Sequence, residues 1–114
     1  MGWFKLNADG ASKGNLGVAG AGGIITNHLS QTVLAFQEHL GLTSNTTTEL
    51  KAIYEGVKLC IDNNIRKIWV EIDAKVALKL IPSPSQGPWH LQNLLQQIRN
   101  LLSQTQFKIS HIFR

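Results

Sequence analysis

The stretch "TTTELKAIYEGVKLCIDNNIRKIWVEID", residues 46–73, decides the fold because it places a helix directly before a strand. In its first part, apolar residues recur at spacings of three and four, which predicts a helix over residues 46–62. In its last part, Ile68, Val70 and Ile72 alternate with other residues, as is typical of a strand. A strand before the helix would complete a βαβ unit, whose crossover connection makes its two strands parallel.

Three strand patterns precede this helix. "WFKLNA" (3–8) alternates in strand fashion, and "AGGIIT" (21–26) and "QTVLAFQ" (31–37) are joined by a short turn. Short connections of this kind predict an antiparallel meander. The glycine-rich stretch from Gly10 to Gly23 predicts a permissive loop between the first two strands.

Two helices and a strand are predicted after residue 73. "AKVALKLI" (74–81) is a short helix that a proline-rich stretch ends, and "WHLQNLLQQIRNLLSQT" (89–105) is an amphipathic helix. "QFKISHIF" (106–113) is the final strand. The predicted order is therefore βββαβααβ, a mixed α/β fold in a single domain over residues 1–114.

Composition restricts the class of protein. The chain has 114 residues and a formal net charge of +4, which favours a polyanionic partner such as nucleic acid. Its one cysteine, Cys60, cannot form an internal disulfide. Neither a secretory signal nor an apolar run near the ~20 residues of a membrane span is found. We expect an intracellular, monomeric domain of the nucleus or cytoplasm that does not enter membranes.

Three acids lie near the predicted ends of two strands and the start of the helix. Asp9 follows the first strand, Asp73 ends the fourth, and Glu49 is expected in the first turn of the helix. Sites in such sheets gather at the carboxyl ends of parallel strands, so the three can converge. Clustered carboxylates repel one another unless a cation is bound, and oxygen ligands suit Mg²⁺ or Mn²⁺. Two such ions about 3.5–4 Å apart can promote phosphodiester cleavage.

Four segments resemble, in order, the successive motifs of the ribonuclease H family. They are "DGASKGNLGVAGAGGII" (9–25), "SNTTTEL" (44–50), "VEID" (70–73) and "ISHIFR" (109–114). The sequence is most similar to the plant reverse-transcriptase-like, retroelement-derived members, and the likeness covers nearly the whole chain. It implies a five-stranded sheet in the order 3-2-1-4-5 with helices packed on it. It also implies metal-dependent endonucleolytic cleavage of the RNA strand of RNA–DNA hybrids.

The resemblance also implies roles for individual residues. Asp9, Glu49 and Asp73 match the family's first three catalytic metal ligands, with two Mg²⁺ or Mn²⁺ ions expected when substrate is bound. The positions matching those that contact the hybrid are Gly10, Ser12, Asn15 and Asn45. His111 is the nearest candidate for the family's active-site histidine, although its place in a strand pattern favours a packing role.

One family feature is missing from the sequence. The fourth carboxylate of the family lies in a C-terminal helix beyond the histidine motif, whereas this sequence stops at Arg114. We therefore expect a C-terminally truncated domain that lacks this helix and its acid. Three interpretations stay open: a nuclease impaired by the missing acid, a non-catalytic nucleic-acid-binding or interaction module, and part of a longer, active protein.

Each of the three acids also has a purely structural interpretation. Asp9 and Gly10 can form an ordinary turn, and Thr46 with Glu49 matches a capping box. Asp73 can cap the helix predicted to follow it. The coincidence of all three acids at one predicted end of the sheet favours a metal site.

Overall fold

The computed structural model describes residues 2–12, 17–43, 45–73 and 89–112. These residues form one five-stranded sheet and two helices. The strands are β1 (Phe4–Ser12), β2 (Gly17–Thr26), β3 (Thr32–Thr43), β4 (Lys67–Asp73) and β5 (Gln106–Ile112). The helices are α1 (Asn45–Asp62) and α2 (Trp89–Leu102). The helix predicted over residues 74–81 lies outside the described residues.

The strand order is β3-β2-β1-β4-β5, which confirms the expected mixed sheet. β1, β2 and β3 form the antiparallel meander. The crossover through α1 places β4 beside β1, in a parallel register that runs from Phe4 opposite Ile68 to Asn7 opposite Glu71. β5 then pairs with β4, also in parallel. β1 is consequently the central strand, with antiparallel pairing on one side and parallel pairing on the other.

The hydrophobic core lies between one face of the sheet and α1. Leu6, Ile68 and Val70 are fully buried on this face, as the alternation of their strands predicts. The fit is tight at Gly56, where an added Cβ would lie 2.6 Å from Cδ1 of Leu6. Glycine therefore allows the middle of α1 to approach β1 closely. The rest of the core includes Ile25, Leu50, Ile53, Val57, Cys60, Ile72, Leu94, Leu95, Ile98 and Leu102.

The glycine-rich stretch differs from the prediction of a loop. β1 continues through Ser12, and β2 begins at Gly17. Glycine has a low propensity for strands. Here the backbone hydrogen bonds that pair β1, β2 and β3 outweigh this low propensity. Asp9 accordingly lies within β1, opposite Gly22, and not at the end of the strand.

The second face of the sheet carries polar groups, and we call it the polar face. On β1, Lys5, Asn7 and Asp9 alternate with the core-facing residues. On β4, Trp69 lies opposite Lys5 and Glu71 lies opposite Asn7. Lys5 and Glu71 form an ion pair across the two strands, with 2.8 Å between Nζ and Oε2. Neither described helix is long and apolar enough to span a membrane.

Candidate active site

The parallel pairing of β1 with β4 places two of the predicted acids on neighbouring strands of the sheet. The parallel register extends to Asn7 opposite Glu71. Asp9 and Asp73 each follow that pair by two residues on neighbouring strands. The backbones of both acids therefore lie at the carboxyl end of the parallel pair, and the Asp9 side chain is exposed there.

A direct contact joins this end of β1 to the start of α1. A Cβ added to Gly10 would lie 2.6 Å from the carbonyl oxygen of Thr48 and 2.8 Å from its Cγ2. Thr48 is fully buried. Because Gly10 follows Asp9 and Thr48 precedes Glu49, this contact brings the third acid to the region that holds the other two.

The position of Glu49 differs slightly from the prediction. α1 begins at Asn45, one residue earlier than expected, so Glu49 is the fifth residue of the helix and lies just beyond its first turn. Thr46 is then inside the helix and not at the N-cap position that a capping box requires. The Glu49 side chain is half-buried.

For several predicted residues the structure describes the position of the backbone but not that of the side chain. Ser12 is the last residue of β1, Asn45 the first of α1 and Asp73 the last of β4. His111 lies within β5, as its strand pattern predicted, and its role stays a prediction. Asn15 lies outside the described residues.

The three-carboxylate metal site also stays a prediction. Among the side chains that the structure describes, no group of three or more histidine, cysteine, aspartate or glutamate residues is near enough to hold an ion. For Asp73 the structure describes the backbone alone. The observed feature is the convergence of three chain segments, each of which carries one acid.

A shallow groove of about 540 Å³ lies beside Asp9 on the polar face. Asp9, Gly22 and Gln37 occupy one row across β1, β2 and β3. Because Gly22 has no side chain, backbone forms the floor of the groove next to the carboxylate. The remaining lining residues are Asn7, Gly23, Ile24, Ala35 and Phe36.

Sequence reasoning did not identify Asn7 and Gln37 as residues of this groove. The alternation of β1 could have identified Asn7, since it shares a face with Asp9. Gln37 had no comparable signal, because its position depends on the register of β3 against β2, which the structure shows to be irregular at two points.

Comparison with known proteins places the sequence in a family. The profile of the reverse transcriptase-like family matches residues 7–114. An Arabidopsis thaliana protein that carries a provisional ribonuclease H name is 27% identical over 115 residues, which cover 100% of this chain and 18% of that protein. The chain thus spans less than a fifth of the length of this relative.

Solved structures share the fold at low sequence identity. Ribonuclease H1 of Halobacterium salinarum superposes with a TM-score of 0.90 at 23% identity, over 99% of this chain and 87% of that one. The N-terminal ribonuclease H domain of a Mycobacterium tuberculosis protein gives 0.85 at 22% identity, over 99% and 87%. LC11 ribonuclease H1, solved in complex with an RNA/DNA hybrid, gives 0.83 at 20% identity, over 97% and 86%.

The family profile and the fold agree. The profile covers nearly the whole chain, and the five-stranded sheet in the order 3-2-1-4-5 superposes on ribonuclease H structures. The chain therefore belongs to the reverse transcriptase-like family and is a ribonuclease H-like domain.

Proposed function

We propose that this domain is an endonuclease that cleaves the RNA strand of RNA–DNA hybrids with the help of a divalent metal. The observation that carries this proposal is the convergence of β1, α1 and β4. The contact between Gly10 and Thr48 and the parallel register of β1 and β4 bring together the segments that carry Asp9, Glu49 and Asp73. These are the acids that match the family's motifs.

The donor set fits a hard divalent cation. Three carboxylates in one place would repel one another, and a cation would relieve that repulsion. In this proposal Asp9, Glu49 and Asp73 would hold Mg²⁺ or Mn²⁺, which prefer oxygen ligands. The ions would supply positive charge against the phosphate and lower the pKa of a bound water.

The groove beside Asp9 supports a nucleic-acid substrate. Its glycine floor leaves room for a sugar–phosphate backbone near the carboxylate. The amides of Asn7 and Gln37 can both donate and accept hydrogen bonds, as contacts to ribose hydroxyls require. The net charge of +4 suits a polyanion, and the hybrid complex of the LC11 enzyme supports this class of partner.

A cleavage assay on an end-labelled RNA–DNA hybrid tests the proposal. We expect internal cuts in the RNA strand with Mg²⁺ or Mn²⁺, none with EDTA, and little cleavage of single-stranded RNA. Asp9→Asn should abolish cleavage while hybrid binding persists. Glu38→Gln is a matched control, because it removes one exposed acid of β3 that is not a predicted metal ligand.

The result also separates the enzyme from a binding module. A wild-type chain that binds hybrids but cuts none with either metal is a non-catalytic nucleic-acid-binding module, and the nuclease proposal is then wrong. Cleavage that persists in Asp9→Asn would show that the predicted carboxylates are not the active site.

A further inference from the structure

Lysine and tryptophan side chains alternate across the polar face, and we call this row the lysine–tryptophan ladder. Nζ of Lys108 lies 4.6 Å from the ring centroid of Trp69 and 4.9 Å from that of Trp3. On the two sides of this lysine, Lys5 lies 4.7 Å from the Trp69 centroid and Lys67 lies 5.6 Å from the Trp3 centroid. All four distances are within the range of cation–π attraction.

Further contacts fix the ladder in place. Nε1 of Trp69 donates a hydrogen bond to Oγ of Ser110 at 2.6 Å, which ties the ring to β5. Lys5 is ion-paired with Glu71. Glu71 therefore balances one of the three lysines, and the ladder keeps two formal positive charges on Lys67 and Lys108, whose side chains are exposed.

The ladder and the candidate active site lie on the same face of the sheet. Lys5 and Asp9 both belong to β1, and their even spacing puts them on one side of the strand. Four residues of strand span about 13 Å. Lys5, at the β1 end of the ladder, is therefore separated from Asp9 by a length that equals the rise of roughly four nucleotides at about 3.4 Å each.

We propose that the lysine–tryptophan ladder binds backbone phosphates of the nucleic acid at a distance from the cleavage position. The proposal rests on the proposed function, because it concerns the same substrate. Two exposed ammonium groups held in a fixed row match the repeating charge of a phosphate backbone. The rings hold the lysines in place, which lowers the entropy that the side chains lose on binding.

Binding of a labelled hybrid, measured over a range of salt concentrations with EDTA present, tests this role. We expect Lys67→Gln and Lys108→Gln each to weaken binding several-fold and to reduce the slope of log K against log salt by about 1. Lys58→Gln is the matched control, since Lys58 is an exposed lysine of α1 beside a different cleft. It should leave the slope nearly unchanged.

Conservative variants separate charge from structure. Lys67→Arg and Lys108→Arg keep the charge and should keep both the affinity and the slope. If they lose as much binding as the glutamine variants, the ladder supports the sheet and does not bind phosphate, and the proposal is wrong.

Three other results would also overturn it. One is wild-type affinity and slope in the double variant Lys67→Gln/Lys108→Gln, a result that would overturn this inference without bearing on the proposed nuclease function. Another is a double variant that binds the hybrid as the wild type does but no longer binds polyglutamate. That result would indicate that the ladder binds an acidic protein. Absence of hybrid binding by the wild-type chain itself would overturn the proposed function together with this inference.

Discussion

Gly10 and Thr48 are in backbone contact: a Cβ on Gly10 would lie 2.6 Å from the Thr48 carbonyl oxygen. Their neighbours in sequence are the two acids Asp9 and Glu49. The separation of these acids is therefore governed by how closely β1 and α1 approach, and only glycine permits the observed approach. A carbonyl oxygen inside a helix cannot rotate away as a flexible side chain can.

Gly10→Ala should therefore disturb stability and activity together. We expect a loss of about 1–3 kcal/mol in the free energy of unfolding from overpacking, and slower hybrid cleavage because the start of α1 is displaced. Urea unfolding and the cleavage assay measure the two effects. Gly20→Ala is the control: its added Cβ would lie 3.7 Å from its nearest neighbour, so it should be tolerated. Equal stability of the two variants would contradict the packing argument.

Gly56→Ala should destabilise the domain although alanine is the better helix former. The added Cβ would lie 2.6 Å and 2.7 Å from the two Cδ atoms of Leu6, which is fully buried. Overpacking of about 1–3 kcal/mol outweighs the ~1 kcal/mol gained from helix propensity. The double variant Leu6→Val/Gly56→Ala should recover part of the loss in urea unfolding. A more stable Gly56→Ala protein would show that the core can adjust at this site.

Asp73→Asn should weaken metal binding whether or not the chain is active. In the proposed site it removes one of three anionic ligands, so the dissociation constant for Mn²⁺, measured by calorimetry without substrate, should rise about tenfold or more. Glu38→Gln should leave that constant unchanged. Identical titrations for wild type and Asp73→Asn would place the ion elsewhere.

Cys60 predicts a pH dependence of stability. Burial raises the pKa of its thiol from 9.0 to about 12, because desolvation disfavours the thiolate. Below about pH 9 both the folded and the unfolded chain keep the proton. Between pH 9 and 12 the unfolded chain loses it first, so the free energy of unfolding falls as pH rises, by up to about 1.4 kcal/mol per pH unit.

Urea unfolding of wild type and Cys60→Ala at about pH 8 and pH 10 isolates this contribution. The variant starts from a lower stability because it leaves a cavity. Its further loss on going to the higher pH should nevertheless be smaller than that of the wild type. Parallel losses in the two proteins would assign the pH dependence to other groups.

Periodicity predicted the core elements well. Val57 in α1 and Ile68 and Val70 in β4 are buried where their spacing placed them, because side-chain period follows directly from backbone geometry. The pattern of β1 likewise placed Leu6 toward the core. The strand order required a family resemblance in addition, since many topologies satisfy the same local patterns.

Features that depend on pairing between distant strands were not predictable. The continuation of β1 and β2 through glycines arises from hydrogen bonds across the sheet, which propensity does not include. The contact of Lys108 with Trp3 and Trp69 depends on the register of β5 against β4. At the candidate site, the role of the three acids stays a prediction, and the sequence did not indicate the groove residues Asn7 and Gln37.

The parallel pairing of β1 with β4 has a consequence for how the domain folds. Asn7 and Glu71 are paired although more than half of the chain lies between them in sequence. Closing so long a loop is entropically costly. Such non-local contacts form slowly, whereas the contacts within α1 are local and the paired residues of the meander are at most 26 residues apart. During synthesis, Asp9 and Glu49 leave the ribosome before Asp73. The chain segments that carry these acids can therefore come together only after β4 has docked, and a nascent chain that lacks β4 lacks one segment of the proposed site.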